Sequence, residues 1–134
     1  MADTAFRLPP MVRAAIATHA REGGDLEVCG VLLGPHAGEG SLAVRCRNVD
    51  PEPRTRYTID PQDLVAAVRL GEDRGLEVVG FYHSHPRGPV HPSKTDEARA
   101  TWVGAAYVIR SVVPESLGAW RWTGRGFEPL TLTP

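Results

Sequence analysis

Read for the spacing of its apolar residues, the chain falls into blocks of helical and extended character. In "LPPMVRAAIATHAREGG", Met11, Val12, Ala15, Ile16 and Ala20 recur at three- and four-residue intervals, with Pro at the start and two glycines after the end. This predicts a helix of about three turns. "LEVCGVLLG" and "SLAVRCRNVD" are rich in Val and Leu and are parted by the turn residues of "PHAGEG", the pattern of a β-hairpin. With Gly34 opposite Ser41 in that hairpin, Cys29 faces Cys46. "RYTIDPQDLVAAVRLGEDRG" reads as a short extended piece, a turn at Asp60 and Pro61, and a helix with Leu64, Val65, Val68 and Leu70 on its apolar face, stopped by Gly75. "LEVVGFYHSHP" follows as a strand ended by Pro86, and "PSKTDEARATW" as a helix that begins at Ser93 and runs to Gly104. "AAYVIRSVV", "LGAWRWTG" and "GFEPLTLTP" predict three closing strands. This order of elements implies an α/β fold, a mixed sheet flanked by helices.

Composition narrows the classes of function. A chain of 134 residues can bury roughly two-thirds of its unfolded surface, which suits one domain spanning 1–134 without staples. Fifteen Lys and Arg against 16 Asp and Glu give no support for nucleic-acid binding, and 42% hydrophobic residues exclude a disordered chain. The apolar runs are too short and interrupted to span a bilayer, and "MADTAFRLPP" lacks the basic start and apolar stretch of a secretion signal, so a cytoplasmic protein is expected. Two cysteines are too few for a disulfide framework, and Cys29 and Cys46 are expected as free thiols.

The densest chemistry lies in "GFYHSHPRGPVHPSKTDEARA". Side chains alternate along a strand, so His83 and His85 share a side while Ser84 points away. After the loop "RGPVHP", Asp96 falls in the first turn of the next helix, where its carboxylate can join two imidazoles around one ion. Two His nitrogens and a carboxylate oxygen are a set that zinc accepts, and three protein ligands leave a fourth position open. A structural reading competes, because Ser93 and Asp96 have capping-box spacing and a His pair on a strand can be ordinary half-exposed surface. The joint pattern HxHP(x6)SxxD has a chance probability on the order of 10⁻⁴ to 10⁻⁵ in a chain of this composition, which favours the metal.

"HSHPRGPVHPSKTD" resembles the signature of the JAMM metalloproteases, or MPN-plus domains, and "EVCGVLLG" resembles the glutamate-bearing strand of that family. The likeness runs from Glu27 to about Val113 with every signature position filled. It implies a curved mixed sheet between helices, similar to cytidine deaminases. It also implies one zinc per chain held by His83, His85 and Asp96, with Ser93 polarising the scissile carbonyl and Glu27 as acid and base. The implied substrate is the C-terminal tail of a ubiquitin-like protein, sulfur carriers included, cut at the amide after its last glycine. Such a tail could add as a strand to a sheet edge beside the zinc. No membrane, nucleic-acid or other cofactor role is expected, and a homo-oligomer is compatible. The alternative is a catalytically silent scaffold of the same fold. A zinc deaminase lacks support because the PCxxC ligand pair is missing. Outside the signature, His91 is expected as an exposed loop residue, His19 and His36 have no spacing that points to a metal, and Cys29 is expected as a small buried hydrophobe near the site. Trp102, Trp120 and Trp122 are expected in packing, with the last two on one face of their strand.

Overall fold

The structure, a computed structural model, describes residues 4–134. Its elements are β1 (Ala5–Arg7), α1 (Pro10–Gly23), β2 (Cys29–Gly34), β3 (Leu42–Cys46), α2 (Pro61–Arg74), β4 (Glu77–Arg87), α3 (Lys94–Arg99), β5 (Ala106–Val113), β6 (Ser116–Trp122), β7 (Phe127–Pro129) and β8 (Thr131–Thr133). Six strands form a mixed sheet in the order β3-β2-β4-β5-β6-β7, in which only β4 and β5 run parallel. Strand alternation divides the core. Tyr82, Leu32, Val108 and Ala106 pack with Val12, Ile16 and Ala20 of α1, while Phe81, Val31, Leu33 and Tyr107 pack with Ala67 of α2 on the other face.

The hairpin forms in the expected register, with Cys29 paired to Cys46 and both thiols free. Burial pushes the Cys29 thiol up to about 12 and the Cys46 thiol up to about 11, so both are inert hydrophobes at neutral pH. The α2 helix starts at Pro61, with the Asp60 side chain accepting from the Gln62 N–H, and ends at Gly75 in the left-handed conformation that glycine tolerates best. Its inner face, however, is centred on Ala67 and Gly71, and Val65 is 49% exposed. Small residues are needed there because the helix lies close to the sheet: a side chain at Gly71 would meet the Leu76 carbonyl and Leu33.

Three boundaries differ from the expected ones. The β4 strand continues through Pro86 to Arg87. Ser84 N–H donates toward β2, to the Val28 carbonyl, so the missing N–H of Pro86 two residues later falls on that same side, where β2 has not yet begun. The α3 helix stops at Arg99 instead of reaching Gly104, and Ala100 turns extended, which carries Trp102 onto Phe81 in an edge-on ring contact at 5.1 Å. The closing segment is two strands, β7 on the edge of the large sheet and β8 parallel to β1, an element not anticipated. Phe6 and Leu8, both fully buried, explain why β1 is held, each contributing about 1.5–3 kcal/mol by burial.

Among the described residues, no helix is long and apolar enough to cross a membrane.

Candidate metal centre

The site lies at the carboxyl end of β4, where β2 has not yet begun and the sheet leaves space beside its middle strand. His83 and His85 project to the same side as expected, both buried, with their Nε2 atoms 3.2 Å apart. Asp96, from the first turn of α3, brings its Oδ2 to 3.1 Å from His83 Nε2 and 3.2 Å from His85 Nε2. These atoms form a nearly equilateral triangle. Four ligands about 2.0 Å from a tetrahedral ion stand about 3.3 Å from one another, so the triangle matches one face of a zinc tetrahedron.

Hydrogen bonding argues the same way. His85 Nδ1 lies 2.9 Å from the Pro89 carbonyl, which can only accept, so Nδ1 carries a proton. In neutral His85 the Nε2 lone pair therefore points at the Asp96 carboxylate, and two acceptors 3.2 Å apart require a cation between them. Without a metal, that cation is a proton. Burial lowers the His85 pKa, but Asp96 and the Pro89 carbonyl outweigh it and the net shift is upward. His83, more deeply buried under the Tyr57 ring at 4.4 Å, is shifted downward by burial. Burial also opposes charge on Asp96, yet hydrogen bonds from both histidines and the Ser93 N–H hold its carboxyl well below the usual range. The donor set and its spacing fit a divalent ion.

The capping box is present as well. Ser93 Oγ accepts from Asp96 N–H at 3.0 Å, and Ser93 N–H donates to Asp96 Oδ2 at 2.9 Å. The capping box is thus observed and is compatible with a metal role for Asp96, since capping fixes the carboxylate that faces the histidines. Only one lone pair of the Ser93 hydroxyl is engaged, and its proton has no acceptor among the described residues.

Glu27 precedes β2 rather than lying on it, and is buried with its Oε1 lacking a hydrogen-bond partner among the described residues. Burial pushes its carboxyl up to about 8, which is tuning suited to proton transfer near neutral pH. Its cleft, about 460 Å³, also contains His85 and Ser93. The Glu27 backbone is fixed at both ends, its N–H donating to the Pro53 carbonyl at 2.7 Å and its carbonyl accepting from Asn48 Nδ2 at 3.0 Å. Ser84, the residue between the histidines, accepts the Val28 N–H on its Oγ at 2.8 Å and so ties Glu27's neighbour to the ligand strand.

Sequence reasoning missed the loop between β3 and α2. Asn48 bonds there to four backbone groups, those of Glu27, Arg56, Asp50 and Thr58. Buried Asp50 pairs with Arg99 of α3 at 2.7 Å. The Asx spacing in "RNVD" was the available signal. His91 is exposed, with its ring 5.0 Å from that of Trp120, and His19 Nδ1 lies 2.7 Å from the Tyr82 hydroxyl, so neither approaches the metal triangle. Trp122 is core, Trp120 donates to the Val90 carbonyl, and Trp102 is 40% exposed.

The mixed sheet between helices is the architecture of the JAB1/MPN fold. The chain belongs to the Prok-JAB family, described as prokaryotic homologs of the JAB domain, whose profile matches residues 9–123. It is 41% identical over 138 residues to the desampylase of Haloferax volcanii, covering 98% of each chain. It is 35% identical over 98 residues to the CysO-cysteine peptidase of Mycobacterium tuberculosis, covering 72% of this chain and 66% of that one. In three dimensions it is similar to a protein from Desulfitobacterium hafniense, with TM-score 0.82 and 26% identity over 96% of this chain and 92% of the other. A JAB1/MPN domain protein from Archaeoglobus fulgidus shares the fold, with TM-score 0.64 and 16% identity over 97% and 99%.

Proposed function

We propose that the chain is a zinc-dependent peptidase or isopeptidase, one domain over 1–134, that hydrolyses the amide bond after the C-terminal tail of a ubiquitin-like protein in the cytoplasm. The names of its relatives, a desampylase and a CysO-cysteine peptidase, support tail-directed cleavage, sulfur-carrier tails included. The observation that carries the reading is the triangle of ligand atoms 3.1 to 3.2 Å apart beside a buried carboxylate whose Oε1 has no partner among the described residues.

His83, His85 and Asp96 hold the ion, which when bound supplies the Lewis acidity that makes water a competent nucleophile near pH 7. Glu27 accepts a proton from the attacking water and hands it to the nitrogen of the leaving amine, a role typically worth ~10² to 10⁴ in rate. Its elevated pKa keeps the two protonation states close in energy. Ser93 directs its free O–H at the carbonyl oxygen as negative charge develops there, while its lone pair remains committed to the Asp96 N–H. Asn48, the Pro53 carbonyl and Ser84 keep the base at a fixed distance from the ligands.

The test is cleavage of a small ubiquitin-like protein with an extension after its Gly-Gly end, followed by mass. Glu27→Gln is expected to keep its zinc and lose at least ~10² in turnover, whereas His83→Ala and Asp96→Ala lose both zinc and cleavage. Full cleavage by Glu27→Gln would remove the base from the mechanism. No cleavage by the zinc-loaded wild-type chain would favour the silent scaffold.

A further inference from the structure

The segment 88–93 joins β4 to α3, the two elements that carry the triangle, and has no secondary structure of its own. At its start the Gly88 N–H donates to the Val113 carbonyl at 3.2 Å, and at its end Ser93 caps α3. Between these points two consecutive carbonyls are engaged. That of Pro89 accepts from His85 Nδ1 at 2.9 Å, and that of Val90 accepts from the indole N–H of Trp120, on β6, at 2.8 Å. Apart from His85, Trp120 is the one side chain among the described residues that donates to the backbone of 88–92. The β6 strand is also shaped to receive the loop. Gly118 lies two residues before Trp120, on the same face, and leaves a notch for Val90: a Cβ there would stand 2.7 Å from Val90 Cγ2 and 3.0 Å from the Val90 carbonyl oxygen. The His91 ring packs on the indole at 5.0 Å. In register, His83, Ile109 and Gly118 form one row across β4, β5 and β6, and Ile109, in the middle of the row, is fully buried.

A histidine that ligates through Nε2 needs its Nδ1–H held, because that bond fixes the tautomer and the plane of the ring. Loss of such outer partners typically costs about 10–100-fold in metal affinity. Here the acceptor is a backbone carbonyl in an irregular loop, on a residue that is exposed and, like Pro92, has no N–H with which to anchor itself. What keeps the Pro89 carbonyl in place is therefore the next peptide, whose anchor stands on β6, two strands away from His85. We infer that Trp120 is a positioning residue for His85, acting through Val90 and the Pro89 carbonyl, with Gly118 supplying the space. The inference rests on the proposed function only in taking His85 as a zinc ligand. It gives the indole N–H a task that packing of the ring does not need. Because the loop ends at the cap of α3, the same anchor also sets how the chain enters the turn that holds Asp96.

Zinc affinity, measured by competition with a chromophoric chelator, tests this without depending on turnover. Trp120→Phe keeps an aromatic ring and deletes the N–H, and is expected to bind zinc about tenfold more weakly than wild type. Trp122→Phe trims a core ring that packs on Phe127 and serves as the control for general loosening. It is expected to lower Tm while zinc affinity stays at the wild-type value. NMR of the zinc-loaded protein with isotope-labelled histidine reads the hydrogen bond itself. The His85 Nδ1–H is expected to exchange with water faster in Trp120→Phe than in wild type or Trp122→Phe. Should Trp120→Phe fail to fold, Gly118→Ala, whose Cβ pushes on Val90, carries the same two expectations. Wild-type zinc affinity in the test variant, unchanged exchange of the Nδ1–H, or an equal loss of affinity in Trp122→Phe at equal loss of Tm overturns the inference. Each of these leaves the metallopeptidase standing. A wild-type chain that binds no zinc overturns the reading beneath the inference and the inference with it. Weakened zinc in Trp120→Phe, beside a wild type that binds zinc but cleaves no tail, keeps the inference and discards the peptidase.

Discussion

Asp96 Oδ2 accepts the Ser93 N–H and faces both imidazoles, so one oxygen terminates a helix cap and completes the ligand triangle. The two functions support each other, because a capped first turn leaves the carboxylate little rotamer freedom to lose when an ion binds. Ser93→Ala removes the cap acceptor and, under the proposed function, the carbonyl donor together. It is expected to cost about 1 kcal/mol in stability and ~10² in kcat, with zinc content retained, as measured by denaturation, turnover and metal analysis. The motif carries this much in its spacing alone: strand alternation puts His83 and His85 on one side, and the Ser93 to Asp96 interval marks the helix start. Glu27 was legible only through resemblance, since nothing local joins it to the histidines. Its position depends on Asn48, the Pro53 carbonyl and Ser84, which are distant from it in sequence or bond to its neighbour.

The loop from Asn48 to Thr58 braces the site from outside the signature. Through Asn48 it holds the backbone of Glu27, through Tyr57 it covers His83, and through Asp50 it grips the end of α3 at Arg99. Such a loop has no hydrophobic period, so pattern reading passes over it, and its Asx bonds gain meaning only once the partners are placed. Arg99's guanidinium, with help from the Glu52 N–H, holds the Asp50 carboxyl down to about 2 from an ordinary 3.8. A carboxyl that is lower in the folded state stabilises the fold fully above its unfolded pKa and loses that contribution as pH falls through the folded one. Asp50→Asn is therefore expected to lower Tm at pH 7, and its deficit against wild type should shrink as pH drops from about 4 toward about 2. A deficit independent of pH would assign the loss to packing. The short strand β1 escaped notice for a related reason, as three residues cannot display alternation, and the single closing strand expected in "GFEPLTLTP" is split into β7 and β8.

The mixed sheet gives the molecule a fixed middle strand, β4, from whose end both histidines project. Gly80 lets β5 lie against it, and a Cβ there would collide with the Ala106 carbonyl oxygen. Gly80→Ala is expected to cost about 1–3 kcal/mol and to weaken zinc retention, because the displaced strand carries His83 and His85, the proposed ligands, as read by denaturation and metal content. Since an ion held by three side chains binds the folded chain alone, excess zinc at 100 times its Kd should add about 2.7 kcal/mol of stability. The gain should fade as pH is lowered and His85, whose pKa is raised, keeps its proton. The centre itself is tested by titrating zinc into chelator-stripped protein while following cleavage of a Gly-Gly-extended tail. Activity should return linearly and break at about one zinc per chain in wild type, and should not return at any zinc concentration in Asp96→Ala. Undiminished cleavage by the stripped protein, or equal recovery in Asp96→Ala, would contradict the metal centre at its foundation.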